Sequence, residues 1–239
     1  MNLYCRLPFG QCNSRNKLVN EVAGKMDRTA GSISRKLGNI ASLDPRHQAR
    51  GVGGLPNSSK LDRKVWAEFQ NNWSAMANKS QVAFEALMGG TVSEKTVPDI
   101  EQPSGPSEVE RMTKTRRLQT FFRNVVLSSY ENRCALTGIA VPQLLIASHI
   151  IPWSENENRR ADPTNGLCLN VLHDKAFDRH LITFDEDYRL VVSGILRKND
   201  IPEFQAANFV KLEGATLTLP HRFAPDHHAL EEHRNAFIA

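Results

Sequence analysis

Three polar residues between Cys134 and Asp178 have the types and spacing to act on one phosphate. His149 ends the stretch Ala147-Ser148-His149, after the apolar run Leu144-Leu145-Ile146, which reads as a strand. Asn165 sits in Asp162-Pro163-Thr164-Asn165-Gly166, just before a second apolar run, Leu167-Cys168-Leu169. His173 follows in Val171-Leu172-His173-Asp174-Lys175-Ala176-Phe177-Asp178, which reads as a short helix. Singly, each has an ordinary structural reading; Asn165-Gly166, for one, is a turn signal in its own right. Together, strand, polar loop, strand and helix would bring His, Asn and His around one metal-bound phosphate. Hydrolysis of a phosphodiester needs a base for the attacking water and a cation for the charge that builds on the leaving oxygen. Histidine suits the first task, because its unperturbed pKa of about 6.5 leaves it largely neutral at cellular pH.

The compound run Cys134-Ala-Leu-Thr-Gly138, Ala147-Ser148-His149-Ile150-Ile151-Pro152, Asn165-Gly-Leu-Cys-Leu169 and His173-Asp-Lys-Ala-Phe-Asp178 resembles the HNH endonucleases. More narrowly, it is similar to the bacterial restriction-type subgroup whose last motif reads His-Asp-x-Ala-Phe-Asp. The likeness continues through Leu181-Ile-Thr-Phe184 and Tyr188–Ser193 to Leu219-Pro-His-Arg-Phe-Ala-Pro225. It implies a ββα-metal fold with His149 as general base, Asn165 bracing the loop that orients it, and His173 as a metal ligand from the helix. It also implies one divalent ion, Mg²⁺ first, with Mn²⁺ or another first-row metal as alternatives. Many such sites carry an acidic or histidine ligand immediately before the base, where this chain has Ser148, a poor ligand. Asp174 or Asp178 could supply the missing carboxylate. Asp174 adjoins His173 but is rotated about 100° from it on a helix, and the sequence does not choose between the two. Many relatives also hold a structural zinc with paired Cys-x-x-Cys motifs. Here Thr137 stands three residues after Cys134 and Cys168 has no near partner, so no structural zinc is expected.

The elements around this run divide the chain. Residues 1–64 hold twelve Lys or Arg against four Asp or Glu, in a chain of net charge +4, leaving the remainder net negative by four. Such a basic block suits contact with phosphate backbones. Within it, Leu18–Met26 and Ala30–Ile40 read as two short helices about an Asp27-Arg28 turn, with Thr29 as the cap. The pair resembles a helix-turn-helix whose second helix would offer Arg35, Lys36 and Asn39 to DNA. A glycine-rich connector at Arg50–Leu55 precedes one long helical pattern from Lys60 to Met88, whose stripe Val65, Trp66, Phe69, Trp73 and Met76 reads as core. Thr91–Pro106, with Pro98, Pro103, Gly105 and Pro106, describes a linker. Ser107 and Glu110 match a capping box for a helix to about Ser129, with Leu118, Phe121, Phe122, Val125 and Val126 on one side and Arg116 and Arg117 among its basic residues. Ile182–Val192 reads as a hairpin, and a final helix after Asp226 carries His227, His228 and His233 as surface residues.

The expected architecture is therefore α+β: a basic helical DNA-binding domain over residues 1–90, a linker over 91–106, and a ββα-metal nuclease domain with added helices and a hairpin over 107–239. The expected activity is metal-dependent cleavage of DNA to 5′-phosphate and 3′-hydroxyl ends, in restriction or host defence. Double-strand cutting by a single-site enzyme would call for a homodimer. Two competing readings are a non-catalytic DNA-binding protein with a degenerate nuclease fold, which Ser148 favours, and a nuclease of structured RNA. Four cysteines without a disulfide framework, no signal peptide and no apolar run near about 20 residues point to the cytoplasm and no membrane partner.

Overall fold

The computed structural model describes residues 1–51, 55, 57–90, 106–198 and 200–239. Its first part is helical: α1 (Asn2–Arg6), α2 (Lys17–Lys25), α3 (Ala30–Ala41), α4 (Pro45–Ala49), α5 (Lys60–Asn71) and α6 (Trp73–Met88). Capping side chains set most of these starts, because the first N–H groups of a helix have no partner within it. Asn16 accepts from Leu18 and Val19 N–H ahead of α2, and Thr29 from Ser32 N–H ahead of α3. Ser59 and Asp62 form a reciprocal capping box on α5. The helix expected from Lys60 to Met88 is broken at Asn72, whose backbone leaves the helical region (φ −155°, ψ 87°) while its side chain caps Ala75 N–H at 2.9 Å. Asparagine competes for backbone hydrogen bonds in this way, and the apolar stripe continues across the break. The expected connector at Arg50–Leu55 lies partly, and the linker over 91–106 almost wholly, outside the described residues.

The second part opens with α7 (Pro106–Ser129), one residue ahead of the expected Ser107–Glu110 capping box, whose Ser107 side chain lies outside the described residues. It buries Leu118, Phe121, Phe122, Val125 and Val126. Two antiparallel strands follow, β1 (Leu145–His149) and β2 (Gly166–Asn170), in the register Leu145↔Asn170 to His149↔Gly166. The helix α8 (Val171–Asp178) leaves β2 directly, because Asn170 turns the chain and accepts from Leu172 and His173 N–H. A hairpin of β3 (Ile182–Phe184) and β4 (Leu190–Val192), a short α9 (Glu203–Asn208) and α10 (His227–Asn235) complete the fold. The fold is α+β, with a β–β–α unit over residues 145–178.

One apolar core runs through both parts, from Tyr4, Val19 and Leu37 to Phe121, Leu167 and Phe184. Arg222, 1% exposed, ties the chain ends together by donating to the carbonyls of Tyr4 and Leu7 and to Ser128 Oγ. Among the described residues, no helix is long and apolar enough to cross a membrane.

Candidate active site

His149 is held on three sides. Its ring stacks on Phe122 of α7, with centroids 3.7 Å apart and planes 13° from parallel. That approach needs Gly166, the cross-strand partner of His149, to be a glycine. A Cβ there would lie 2.5 Å from Val126 Cγ2 and 2.9 Å from Phe122 Cζ, closer than packed carbons come. Trp153 meets the ring edge-on at 5.7 Å. On the third side, His149 Nε2 lies 3.0 Å from the Arg160 carbonyl. A carbonyl only accepts, so Nε2 carries the proton and the neutral ring keeps its lone pair on Nδ1. Burial, only partly offset by the Arg160 carbonyl, holds the imidazole down at about 4, so it stays in its basic form at neutral pH.

Asn165 is buried and staples the loop that supplies this carbonyl. Its Oδ1 accepts from Ile151 N–H at 2.8 Å, and its Nδ2 donates to the Ile151 carbonyl at 3.0 Å and to that of Arg159 at 3.4 Å. Ile150 N–H donates to the Asn165 carbonyl at 3.0 Å. Both polar atoms of the amide are used within the chain, and Asn165 does not line the cavity.

The cavity in front of His149 measures about 460 Å³ and is bordered by Ser148, His149, Trp153, Asp174, Asp178 and His180. Asp174 and Asp178 share one face of α8, as residues four apart must. Burial first, then the Asp178 carboxylate, pushes Asp174 up to about 6, and burial also raises Asp178 against the pull of Lys175, Arg179 and His180. Asp174 Oδ1 and Ser148 Oγ are buried without a hydrogen-bond partner of ordinary geometry. A bound cation would draw both carboxylates back toward their charged form and give the two unpartnered oxygens a partner. Among the described residues no three His, Cys, Asp or Glu side chains converge at metal-ligand spacing. Two carboxylates beside a hydroxyl suit Mg²⁺, which keeps several waters and commonly takes one or two protein carboxylates; they do not suit zinc, which needs about four ligands.

His173 is placed differently from the expectation of a metal ligand. It is fully buried, accepts at Nδ1 from Asn170 Nδ2 at 2.9 Å, and donates from Nε2 to the Asn208 carbonyl at 2.7 Å. With both ring nitrogens occupied and the side chain away from the cavity, it anchors α8 to α9. The helical turn of about 100° per residue that buries His173 carries Asp174 toward His149.

The expected DNA-contacting residues do not gather at the cavity. Arg35 is exposed on α3, but Lys36 bonds both oxygens of Asp62 at 3.0 Å, and Asn39 Oδ1 is buried. Arg117 pairs with Glu85 at 2.8 Å, and Arg116 is half-buried. His233, expected at the surface, is buried instead, bonded to Thr183 Oγ1 at 2.9 Å and to the Phe177 carbonyl at 3.0 Å and stacked on the Phe177 ring. Its position on the inner face of α10 explains the difference. The sequence reading passed over Trp153, Arg160 and His180. Arg160 acts here through its backbone, which leaves no mark in residue type, while His180, directly after the Asp178-Arg179 pair, could have been found by extending the motif.

No curated protein matches the chain. Residues 134–185 match the family model of the HNH endonucleases. That span holds the whole β–β–α unit, its loop and the cavity face of α8, so the similarity to the HNH endonucleases falls on the residues that build the site.

Proposed function

We propose that the protein is a metal-dependent DNA endonuclease in which His149 is the general base and Asp174 and Asp178 hold the divalent ion. The observation that supports this reading is the shared cavity, where a neutral imidazole faces two carboxylates of raised pKa. His149 Nδ1 takes a proton from the attacking water, and its Nε2–H bond to Arg160 steadies the imidazolium that results. The Phe122 ring fixes the plane in which that lone pair lies. Asn165 keeps the loop closed without touching substrate. A Mg²⁺ or Mn²⁺ ion, when bound, would stabilise charge on the leaving 3′ oxygen and leave 5′-phosphate and 3′-hydroxyl ends. The basic surplus of the first 64 residues supports backbone contact with double-stranded DNA, and the pair α2–α3 supports a reading of helix-turn-helix type. A role in restriction or host defence, as a homodimer where both strands are cut, rests on the resemblance to the restriction-type subgroup.

Plasmid cleavage with Mg²⁺ or Mn²⁺ tests the proposal. Chelation by EDTA should abolish cutting, and His149→Ala should lower it by about 100-fold or more. Asp174→Asn and Asp178→Asn should weaken metal binding measured by calorimetry, whereas His173→Gln should lower thermal stability and leave metal affinity near the parent value. Cleavage that survives EDTA or His149→Ala sinks the mechanism. Binding of DNA without cleavage under any metal would favour the non-catalytic reading, to which Ser148 already points.

A further inference from the structure

The carbonyl that orients His149 belongs to a loop gripped from both sides. Ser74, one residue into α6, donates its hydroxyl to the carbonyls of Glu157 at 2.8 Å and Asn158 at 3.1 Å. Arg160 folds back from the same loop. Its Nε donates to the Trp153 carbonyl at 2.9 Å, its guanidinium carbon lies 5.1 Å from the centre of the Trp153 ring, and its Nη1 pairs with Glu157 at 3.0 Å. Trp153 in turn touches the His149 ring edge-on. A connected path therefore runs from the helical first part of the chain, through residues 157–160, to the proton-bearing nitrogen of His149.

We propose that α6 belongs to the catalytic apparatus, with Ser74 and Arg160 as positioning residues that hold the Arg160 carbonyl against His149 and so fix its tautomer. The inference rests on His149 being the base. The loop contains one short 3₁₀ turn, Glu157–Arg159, and no longer element, so its path is set by these side-chain ties. A hydrogen bond at 3.0 Å is lost when its acceptor moves by about 1 Å, and the proton can then sit on either ring nitrogen. A base presenting N–H to water instead of a lone pair cannot accept a proton. The helical first part would thereby do more than hold DNA: a helix that moves on binding would reach the base through Ser74.

The test uses the full chain and four variants: Ser74→Ala, Ser74→Thr, Arg160→Met and Arg160→Lys. Two readouts are taken, kcat and KM for plasmid cleavage, and the imidazole ¹⁵N shifts of His149, assigned against His149→Ala. Ser74→Ala and Arg160→Met should lower kcat roughly tenfold or more with KM unchanged, and the Nε2–H tautomer should give way to a mixture. Ser74→Thr, which keeps the hydroxyl, should retain parent values. Arg160→Lys should behave like Arg160→Met, because an ammonium cannot donate from the Nε position while pairing with Glu157. The proposal is overturned if the His149 tautomer in Ser74→Ala and Arg160→Met matches the parent. The nitrogen shifts do not depend on turnover. If the parent cuts nothing with any metal, the nuclease reading fails, while a tautomer change in the variants still supports the bracing of His149 by α6.

Discussion

At residue scale, the histidines are separated by their surroundings. His149 and His233 each use Nε2–H toward a carbonyl and both border the cavity, but the second ring nitrogen of His233 is bonded to Thr183 Oγ1. His47 is the odd one: fully buried, tilted at 43° against the Phe9 ring with centroids 4.2 Å apart, and with neither ring nitrogen hydrogen-bonded among the described residues. Burial, followed by the nearby Arg222, Arg50 and His221, holds it down at about 4. In the unfolded chain it titrates near 6.5. Below that pH the unfolded state takes up a proton that the folded state refuses. The contribution to stability is thus complete above about pH 6.5 and is lost as the pH falls toward 4. His149 and His233, held equally low by burial, act in the same direction. His47→Phe should raise stability at neutral pH by about 1 kcal/mol or more, by removing two unpaired polar atoms. It should also make the fall in melting temperature between pH 6.5 and 4.5 shallower, which thermal unfolding across a pH series would measure; a fall as steep as the parent's would refute it.

At the scale of elements, the geometry around His149 depends on how closely α7 approaches β2. Gly166 permits that approach, and Phe122 then lies flat under His149. Gly166→Ala should cost about 1–3 kcal/mol through overpacking, and it should lower cleavage further by displacing Phe122 from the base. Urea unfolding gives the first number, and cleavage under conditions where the variant is fully folded gives the second. Full activity in a folded Gly166→Ala protein would show that the stacking of Phe122 on His149 is dispensable. The split of the expected long helix at Asn72 belongs to the same scale. It places Ser74 in the first turn of a new helix, within reach of the loop that serves His149.

For the whole molecule, one apolar core runs through the helical first part and the second part. Arg222 sits between the two parts with its guanidinium 4.5 Å from the centre of the Tyr4 ring, and among the described residues no carboxylate bonds it directly. Arg222→Leu would take the guanidinium donors away from the buried Tyr4 and Leu7 carbonyls, while Ser128 Oγ would keep its bonds to the Cys5 and Val125 carbonyls. That variant should lose about 3 kcal/mol or more, and urea unfolding followed by fluorescence and by circular dichroism should move as one transition. An early, separate loss of the first part would show that the two parts fold independently.

Much of this arrangement is legible in residue order, because it depends on local chemistry. The cap at Thr29, the start of the last helix after Pro225-Asp226, the apolar face of α7, the hairpin at 182–192 and the strand–loop–strand–helix order of the site follow from periodicity and side-chain preference. The motif residues His149 and Asn165 could be found in the same way. Three things were decided only by tertiary packing. A helix turns by about 100° per residue, so whether His173 or Asp174 meets the base depends on what covers α8, and here Asn170 and α9 claim His173. The tautomer of His149 is set by a backbone carbonyl, which every residue possesses and no sequence pattern marks. The joining of a basic helical segment to the β–β–α part through Arg222 and Ser74 links residues more than eighty positions apart. Residue type and spacing register what a segment can do locally, whereas the partner that completes a buried polar group is chosen only when distant segments meet.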